Sequence, residues 1–382
     1  MPIPVLSVLA AAVFAAITTE VLPVGLLPII SRDLGTSESR VGLLVSAYAV
    51  VVALGSIPLT AVMVRWPRKQ VLSGLLVIYA ISNALLAGTD QFSVALMARL
   101  VGGLAHAGFF SIVIAAAVAV VAPAKAGRAV AVVQTGNALA LSVGIPLGTA
   151  LGTAVGWRWA FAGAAVLMML LAVLTAIVLP TGQGAPKQAG VPVLTAVRGR
   201  PLMVVAGLVI ALTLGHYTLF TYVSPLLLHA GVGITSVGVV LFCYGAGGII
   251  GLVLAGIAVD RWLFGTVRAA ITVAFACLLT LGLFHATAVV IIAVAVWGCA
   301  FGSLPTLLQT IAIRAAPQTP DAGPAVVNAT FNVGIAGGAL IGGRELLVTA
   351  PPVLALTAAA LVAVSLLLLQ NVSRAVTEPP SR

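Results

Sequence analysis

The sequence predicts an all-α membrane protein of twelve transmembrane helices, arranged as two pseudo-symmetric six-helix bundles. Three observations carry that expectation. The chain is 62% hydrophobic and only 7% charged, with a mean hydropathy of +1.24, whereas soluble domains hold about 25% charged residues. Cutting it at charges and at Pro/Gly clusters leaves twelve apolar segments, each near the ~20 residues a helix needs to cross the hydrocarbon core. Writing the second half beneath the first at one ungapped offset aligns Tyr48 with Tyr244 and Arg65-Trp66 with Arg261-Trp262, and also Gly35 with Gly231, Gly42 with Gly238, Gly55 with Gly251 and Gly102 with Gly298.

The segments fall at about 3–30, 41–63, 70–88, 92–121, 129–152, 157–180, 202–229, 236–259, 266–286, 288–315, 322–343 and 349–370. The first has no Lys or Arg ahead of it, and its apolar run exceeds a cleaved h-region, so it is expected as a retained helix. Residues 181–201, TGQGAPKQAGVPVLTAVRGRP, interrupt the helical pattern with Gly, Pro and basic residues. They divide the chain into an N-terminal bundle over 1–180, a cytoplasmic linker, and a C-terminal bundle over 202–382. An even number of helices per half gives a parallel repeat, the plan of transporters that hold substrate at the midplane and rock one half against the other.

The net charge of +10 does not mark a nucleic-acid surface, because the basic residues sort by membrane side. With both termini inside, thirteen of the eighteen lie in cytoplasmic stretches, Arg32, Arg40, Arg158 and Arg344 lie outside, and Arg99 falls within a span. That asymmetry sets the orientation by the positive-inside rule. Cys243, Cys277 and Cys299 sit in separate apolar segments without CxxC spacing, as small core residues do. No metal site, cofactor motif, HExxH, paired catalytic acids or Walker loop is present, so neither an enzyme nor an ATP-driven pump is expected.

At the end of the second segment the chain reads TAVMVRWPRK (60–69), and its repeat mate is GIAVDRW (256–262). This resembles the loop signature G-x-x-x-D-R-x-G-R-K of the major facilitator superfamily. The resemblance implies an inner gate built from Arg65, Arg68, Lys69, Asp260 and Arg261. The first copy has Thr60, Val64 and Pro67 where the family has Gly, Asp and Gly, so its usual ion pair is missing; the second keeps Gly256, Asp260 and Arg261.

In the fifth segment, GNALALSVGIPLG (136–148) carries Gly136, Gly144, Pro146 and Gly148. Pro146 removes a backbone donor, and the glycines permit close helix packing. The run is similar to the antiporter signature G-x-x-x-G-P-x-x-G-G of that superfamily's exporters, with Ile145 inserted before the proline. GHYTLFTYVSP (215–225), Trp297-Gly298 and NATFNVGIA (328–336) extend the likeness to bacterial twelve-helix drug:proton antiporters, the branch of arabinose-efflux, purine-efflux and chloramphenicol-resistance permeases. The likeness implies the major facilitator fold, a monomer in the bacterial inner membrane, and efflux of a small molecule against protons.

Glu20, in AAITTEVLPV (15–24), is an acid deep in the first span. An ionisable group there costs at least ~2.5–3.5 kcal/mol on insertion scales and is usually functional. Burial disfavours a carboxylate's charged form and a nearby cation favours it, which is the behaviour a proton carrier needs. Arg99, outward of the centre of the fourth span as Glu20 is of the first, is expected to compete for the charged form. His106 lies seven residues on, along nearly the same face, and His216 is the repeat partner of Glu20; imidazoles exchange protons near neutrality.

For substrate, Tyr217, Phe220 and Tyr222 offer ring faces, and Gln134, Asn137, Gln309, Asn328 and Asn332 offer amides, suited to a flat, uncharged, partly polar molecule such as a drug, nucleobase, nucleoside or sugar. A facilitator or proton-symporting importer on the same fold, and a non-transport membrane enzyme, are the alternatives.

Overall fold

The computed structural model describes residues 2–63, 66–122, 126–180, 199–315 and 322–377. Those residues form helices and turns with no strand among them, and twelve helical spans are long and apolar enough to cross a membrane. The chain divides into two compact units, Met1–Gln188 and Ala189–Arg382.

In the first unit, α1 (Ile3–Asp33), α2 (Glu38–Met63), α3 (Arg68–Ala87) and α4 (Phe92–Ala119) each contain one span. The fifth span is composite: α5 (Ala126–Leu139) passes through a π-turn at Ala140–Gly144 into α6 (Ile145–Val155). Pro146, which cannot donate to the helix ladder, stands two residues beyond that wide turn, so the expected disturbance takes the form of a π-bulge. α7 (Trp157–Val178) completes the unit.

In the second unit the seventh span is α8 (Arg200–Phe220), which breaks at Thr221–Tyr222 before the short α9 (Val223–His229). Pro225 supplies no N–H to the carbonyl at Thr221, so the ladder fails at that point. The eighth and ninth spans are not separated by the loop expected at 260–265. They join in one element, α10 (Val237–Leu283), interrupted only at Trp262 (φ −138°, ψ 39°). The first copy of this junction contains Pro67 and the second has no proline, so helical hydrogen bonding resumes sooner. α11 (Thr287–Ala315), α12 (Ala322–Leu346) and α13 (Pro351–Thr377) follow.

The aligned glycines have a local cause. Gly35 (φ 58°) and Gly231 (φ 80°) both sit just past a helix end in the left-handed region. In each case the glycine N–H and the next N–H bond back into the last turn: Gly35 to Arg32 O at 3.2 Å and Thr36 to Ser31 O at 2.9 Å, Gly231 to Leu228 O at 3.0 Å and Val232 to Leu227 O at 2.9 Å. This is the Schellman closure, and a Cβ would strain it.

Between apolar helices in lipid there is little hydrophobic drive to associate, so close van der Waals packing must hold them together. Gly136, Gly144, Gly148 and Gly152 recur at multiples of four and face α1. A Cβ on Gly136 would collide with the Ala10 carbonyl and one on Gly144 with Thr18 Oγ1, while on Gly148 and Gly152 it would lie 2.6 Å from Leu22 Cδ1 and Leu26 Cδ2. The residues met recur on α1 at the same multiples of four, so two i±4 ridges run side by side. The second unit repeats the device where Gly334, Gly338 and Gly342 of α12 press on Thr213, Leu214 and Thr218 of α8. Large exposed apolar side chains such as Leu54, Val166, Ile177 and Ile257 are left for lipid.

Candidate functional site

Two buried polar clusters stand out, one inside each unit. In the first, Arg99 is 3% exposed and donates Nε to Leu44 O (3.2 Å), Nη1 to Thr19 O (2.9 Å) and Nη2 to Glu20 O (2.8 Å). Its guanidinium carbon also lies 4.1 Å from the centre of the Tyr48 ring, a cation–π contact. The sequence explains the choice of acceptors. Pro23 is four residues after Thr19 and has no N–H, so the Thr19 carbonyl has no helical partner and takes one from arginine.

The hydrogen bonds of Arg99 go to main-chain oxygens of α1 and α2 rather than to the Glu20 carboxylate. The carboxylate, in a residue 8% exposed, instead has His106 Nε2 at 3.6 Å from Oε2. On its other side His106 Nδ1 is 2.8 Å from the Tyr48 hydroxyl, which lies 3.4 Å from that of Tyr79. The imidazole stacks on Phe110 with ring centres 4.5 Å apart. α1, α2, α3 and α4 each contribute a member, and the close passage of α4 across α2 is made by Gly102 and Gly103, where a Cβ would lie 3.3 Å from the Tyr48 ring and 2.9 Å from the Tyr48 carbonyl.

In the second unit His216 is 1% exposed and lies flat on Phe301, with ring centres 3.3 Å apart, and roughly parallel to Phe220 at 5.0 Å. Tyr217, Tyr244 and Trp297 surround it, and Phe331 joins through Tyr217 and Phe301. Its Nε2 is 3.4 Å from the Tyr244 hydroxyl, while Nδ1 and the indole N–H of Trp297 are buried without a hydrogen-bond partner among the described residues. Among the described residues no charged side chain enters this cluster. Where the repeat puts Glu20, Arg99 and His106, the second unit has His216, Ala295 and Gly302.

The other expected residues are scattered. Tyr222 is fully buried and donates its hydroxyl to Ala339 O at 2.8 Å, so it fastens the start of α9 to α12 and offers no free ring face. Asn332 donates to Asn328 O one turn earlier in α12 (3.0 Å), and Asn328 and Gln309 are exposed. Gln134 and Asn137 are half-buried on α5, and Gln134 Oε1 has no hydrogen-bond partner among the described residues. Of the expected gate, Arg65 lies outside the described residues, as do the side chains of Asp260 and Arg261. Lys69 is half-buried at the start of α3, and Arg68 donates Nη1 to Ala115 O (3.1 Å) near the end of α4, where the helix dipole favours a cation. Among the described residues no group of His, Cys, Asp and Glu could hold a metal.

Sequence reasoning missed Tyr48 and Tyr79 in the first cluster and Tyr244 and Phe301 in the second. The one available signal was the alignment of Tyr48 with Tyr244 across the repeat.

Twelve apolar helical spans in two compact units define a multi-pass membrane protein. Residues 8–343 match the model of the Major Facilitator Superfamily, and the chain belongs to that family. It is 32% identical over 354 residues to a chloramphenicol efflux pump of Mycobacterium tuberculosis (strain CDC 1551 / Oshkosh), covering 88% of this chain and 84% of the relative. It is 30% identical over 345 residues to a probable sugar efflux transporter of Mannheimia succiniciproducens, covering 88% and 85%. Among solved structures, a bacterial homologue of the human lysosomal transporter Spinster superposes with a TM-score of 0.78 over 99% of this chain and 98% of that one, at 14% identity. The chain is thus a multi-pass membrane transporter of small molecules and not an enzyme.

Proposed function

We propose that this transporter exports an uncharged or amphipathic small molecule in exchange for protons, by alternating access, as a monomer in the bacterial inner membrane with both termini in the cytoplasm. The observation that carries the proton-coupling reading is the Glu20–His106 pair, 3.6 Å apart and buried within the first unit. An acid and a base held out of water at that distance exchange one proton between them at little geometric cost, whereas an ion with no such partner would be expensive there. Arg99 keeps its place in the reading through the main chain, since it holds the segment of α1 that carries Glu20. Export is favoured over import by the glycine and proline pattern of the fifth span and by the efflux names of the two relatives.

The aromatic cluster around His216 supports a substrate with a planar ring through Tyr217, which is half-buried at its edge, while His216, Phe220 and Phe301 are buried and stack on one another. A phenicol fits that description, and a sugar would use the amides of α5 and α12 more than the rings.

The test uses everted membrane vesicles with acid inside. Phenicols, nucleobases, nucleosides and sugars are added one at a time while proton efflux is followed, for wild type and Glu20→Gln. Proton release on adding one class, lost in Glu20→Gln with the protein still inserted, is the expected result. Substrate uptake that proceeds equally well without a pH gradient, or in Glu20→Gln, would exclude coupling through Glu20.

A further inference from the structure

The acid–imidazole pair is the end of a longer buried chain: Tyr79 of α3, Tyr48 of α2, His106 of α4 and Glu20 of α1, with successive separations of 3.4, 2.8 and 3.6 Å. All four are between 1% and 8% exposed. Among the described residues, the other ionisable group acting on them is Arg99 of α4, which lies over the Tyr48 ring and bonds to the main chain of α1 and α2.

A neutral imidazole has one N–H, so one of its nitrogens donates while the other accepts. An ionised Glu20 only accepts, and that requires the proton on Nε2. Nδ1 is then bare and accepts from the Tyr48 hydroxyl, whose oxygen in turn accepts from Tyr79. A protonated Glu20 can donate to a bare Nε2. The imidazole proton is then on Nδ1 and points at the Tyr48 oxygen, and the Tyr48 hydroxyl turns toward Tyr79. Between the two states the four groups gain one proton: an O–H forms on Glu20, and N–H on Nε2 is exchanged for N–H on Nδ1. The two hydrogen bonds of Tyr48 reverse, and so does the polarity of the Glu20–His106 contact, whose atoms lie 3.6 Å apart in this structure.

We propose that Tyr48 is a positioning residue that holds whichever His106 tautomer the charge on Glu20 selects, donating to a bare Nδ1 or accepting from Nδ1–H, with Tyr79 as the terminal partner. The state of a carboxylate on α1 is thereby transmitted through α4 and α2 to α3. The proposal rests on the reading of Glu20 as a proton carrier for its use in transport, but the tautomer is measurable without any substrate.

The experiment is ¹⁵N NMR of histidine-labelled, full-length protein in lipid nanodiscs across a pH titration. The chain has four histidines, and the His106 signals are those lost in His106→Asn. Bare and protonated ring nitrogens have well-separated shifts. In wild type the N–H should move from Nε2 at high pH to Nδ1 at low pH. Glu20→Gln should remove the pH dependence, and Tyr48→Phe, which leaves an Nδ1–H without its acceptor, should give a mixture of tautomers at low pH while the carboxylate keeps the proton on Nε2 at high pH. Tyr79→Phe, a second probe should Tyr48→Phe fail to fold, should weaken the low-pH tautomer alone. An unchanged titration in Tyr48→Phe or, where that variant is unfolded, in Tyr79→Phe would overturn the proposal. So would an imidazolium bearing both protons at low pH in wild type. A normal tautomer switch in a protein that moves no protons would leave this chain standing and refute the coupling reading instead.

Discussion

Replacing Arg99 by methionine tests what the arginine is for. The side chain makes three hydrogen bonds to carbonyls on α1 and α2, and their loss is unequal. The Leu44 and Glu20 carbonyls stand opposite the N–H groups of Tyr48 and Val24 one turn on, so a helical donor is at hand. Thr19 is followed at that position by Pro23 and has none. Stranding that one buried carbonyl costs ~1–3 kcal/mol, and losing the stacking on Tyr48 adds ~0.5–2 kcal/mol. Removing a buried charge also relieves its desolvation, so we expect a net loss of about 1–4 kcal/mol. Adding Pro23→Ala restores the missing N–H. In the Arg99→Met background it should return ~1–2 kcal/mol more than in wild type, the coupling expected of groups that share one acceptor. The assay is tryptophan fluorescence during denaturant titration of the purified proteins, read for wild type, both single variants and the double. Equal effects of Pro23→Ala in the two backgrounds would show that Arg99 does not serve the carbonyl left by the proline.

Other consequences are simpler to check. Gly136→Ala should lower thermal stability by ~1–3 kcal/mol, since the added carbon meets the α1 backbone, while Gly74→Ala and Gly163→Ala, with nothing within 4 Å, should be neutral or gain up to ~1 kcal/mol; a thermal melt of all three separates them. Gly298→Ala should be as harmful as Gly136→Ala, because its Cβ would enter the Tyr244 carbonyl. Arg158 bridges Asp33 (2.9 Å) and Asp90 (2.5 Å) at the end of the first unit, yet Asp90 is 88% exposed. Arg158→Gln should therefore cost at most ~1 kcal/mol, and the difference from wild type should shrink as salt is raised.

The spans were visible in the sequence because crossing a bilayer demands about twenty apolar residues in a row, a requirement that little else in a chain satisfies. The paired turns at Gly35 and Gly231 were visible for a similar reason: a left-handed residue admits few side chains, so the glycine marks the place in both halves. Glu20 announced itself by its cost in lipid. Its neighbours did not. Tyr48 and Tyr79 look like ordinary core residues in apolar helices, and their meeting with His106 depends on how three helices are rotated about their axes, which no spacing along one helix encodes. The role of Arg99 lay half in view, since Pro23 predicts an unpaired carbonyl at Thr19, but only the crossing of α1 and α4 shows who answers it. The continuous run through Trp262 escaped for the opposite reason: Asp260 and Arg261 suggest a loop, although charged residues are tolerated in a helix that has left the hydrocarbon.

Tyr48 rests on Gly102 and Gly103 and Tyr244 rests on Gly298, a tyrosine carbonyl lying against a glycine in both units, at Gly103 in the first and at Gly298, the mate of Gly102, in the second. Around that shared pivot nearly everything else has been exchanged, with an acid, an arginine and a histidine in one copy and stacked rings in the other. A duplicated gene that keeps its helix crossings fixed can let one copy lose its ions and the other keep them. Ancestry is then recorded in the glycines, while the chemistry of each half remains free to drift toward a new cargo without unsettling the frame that carries it.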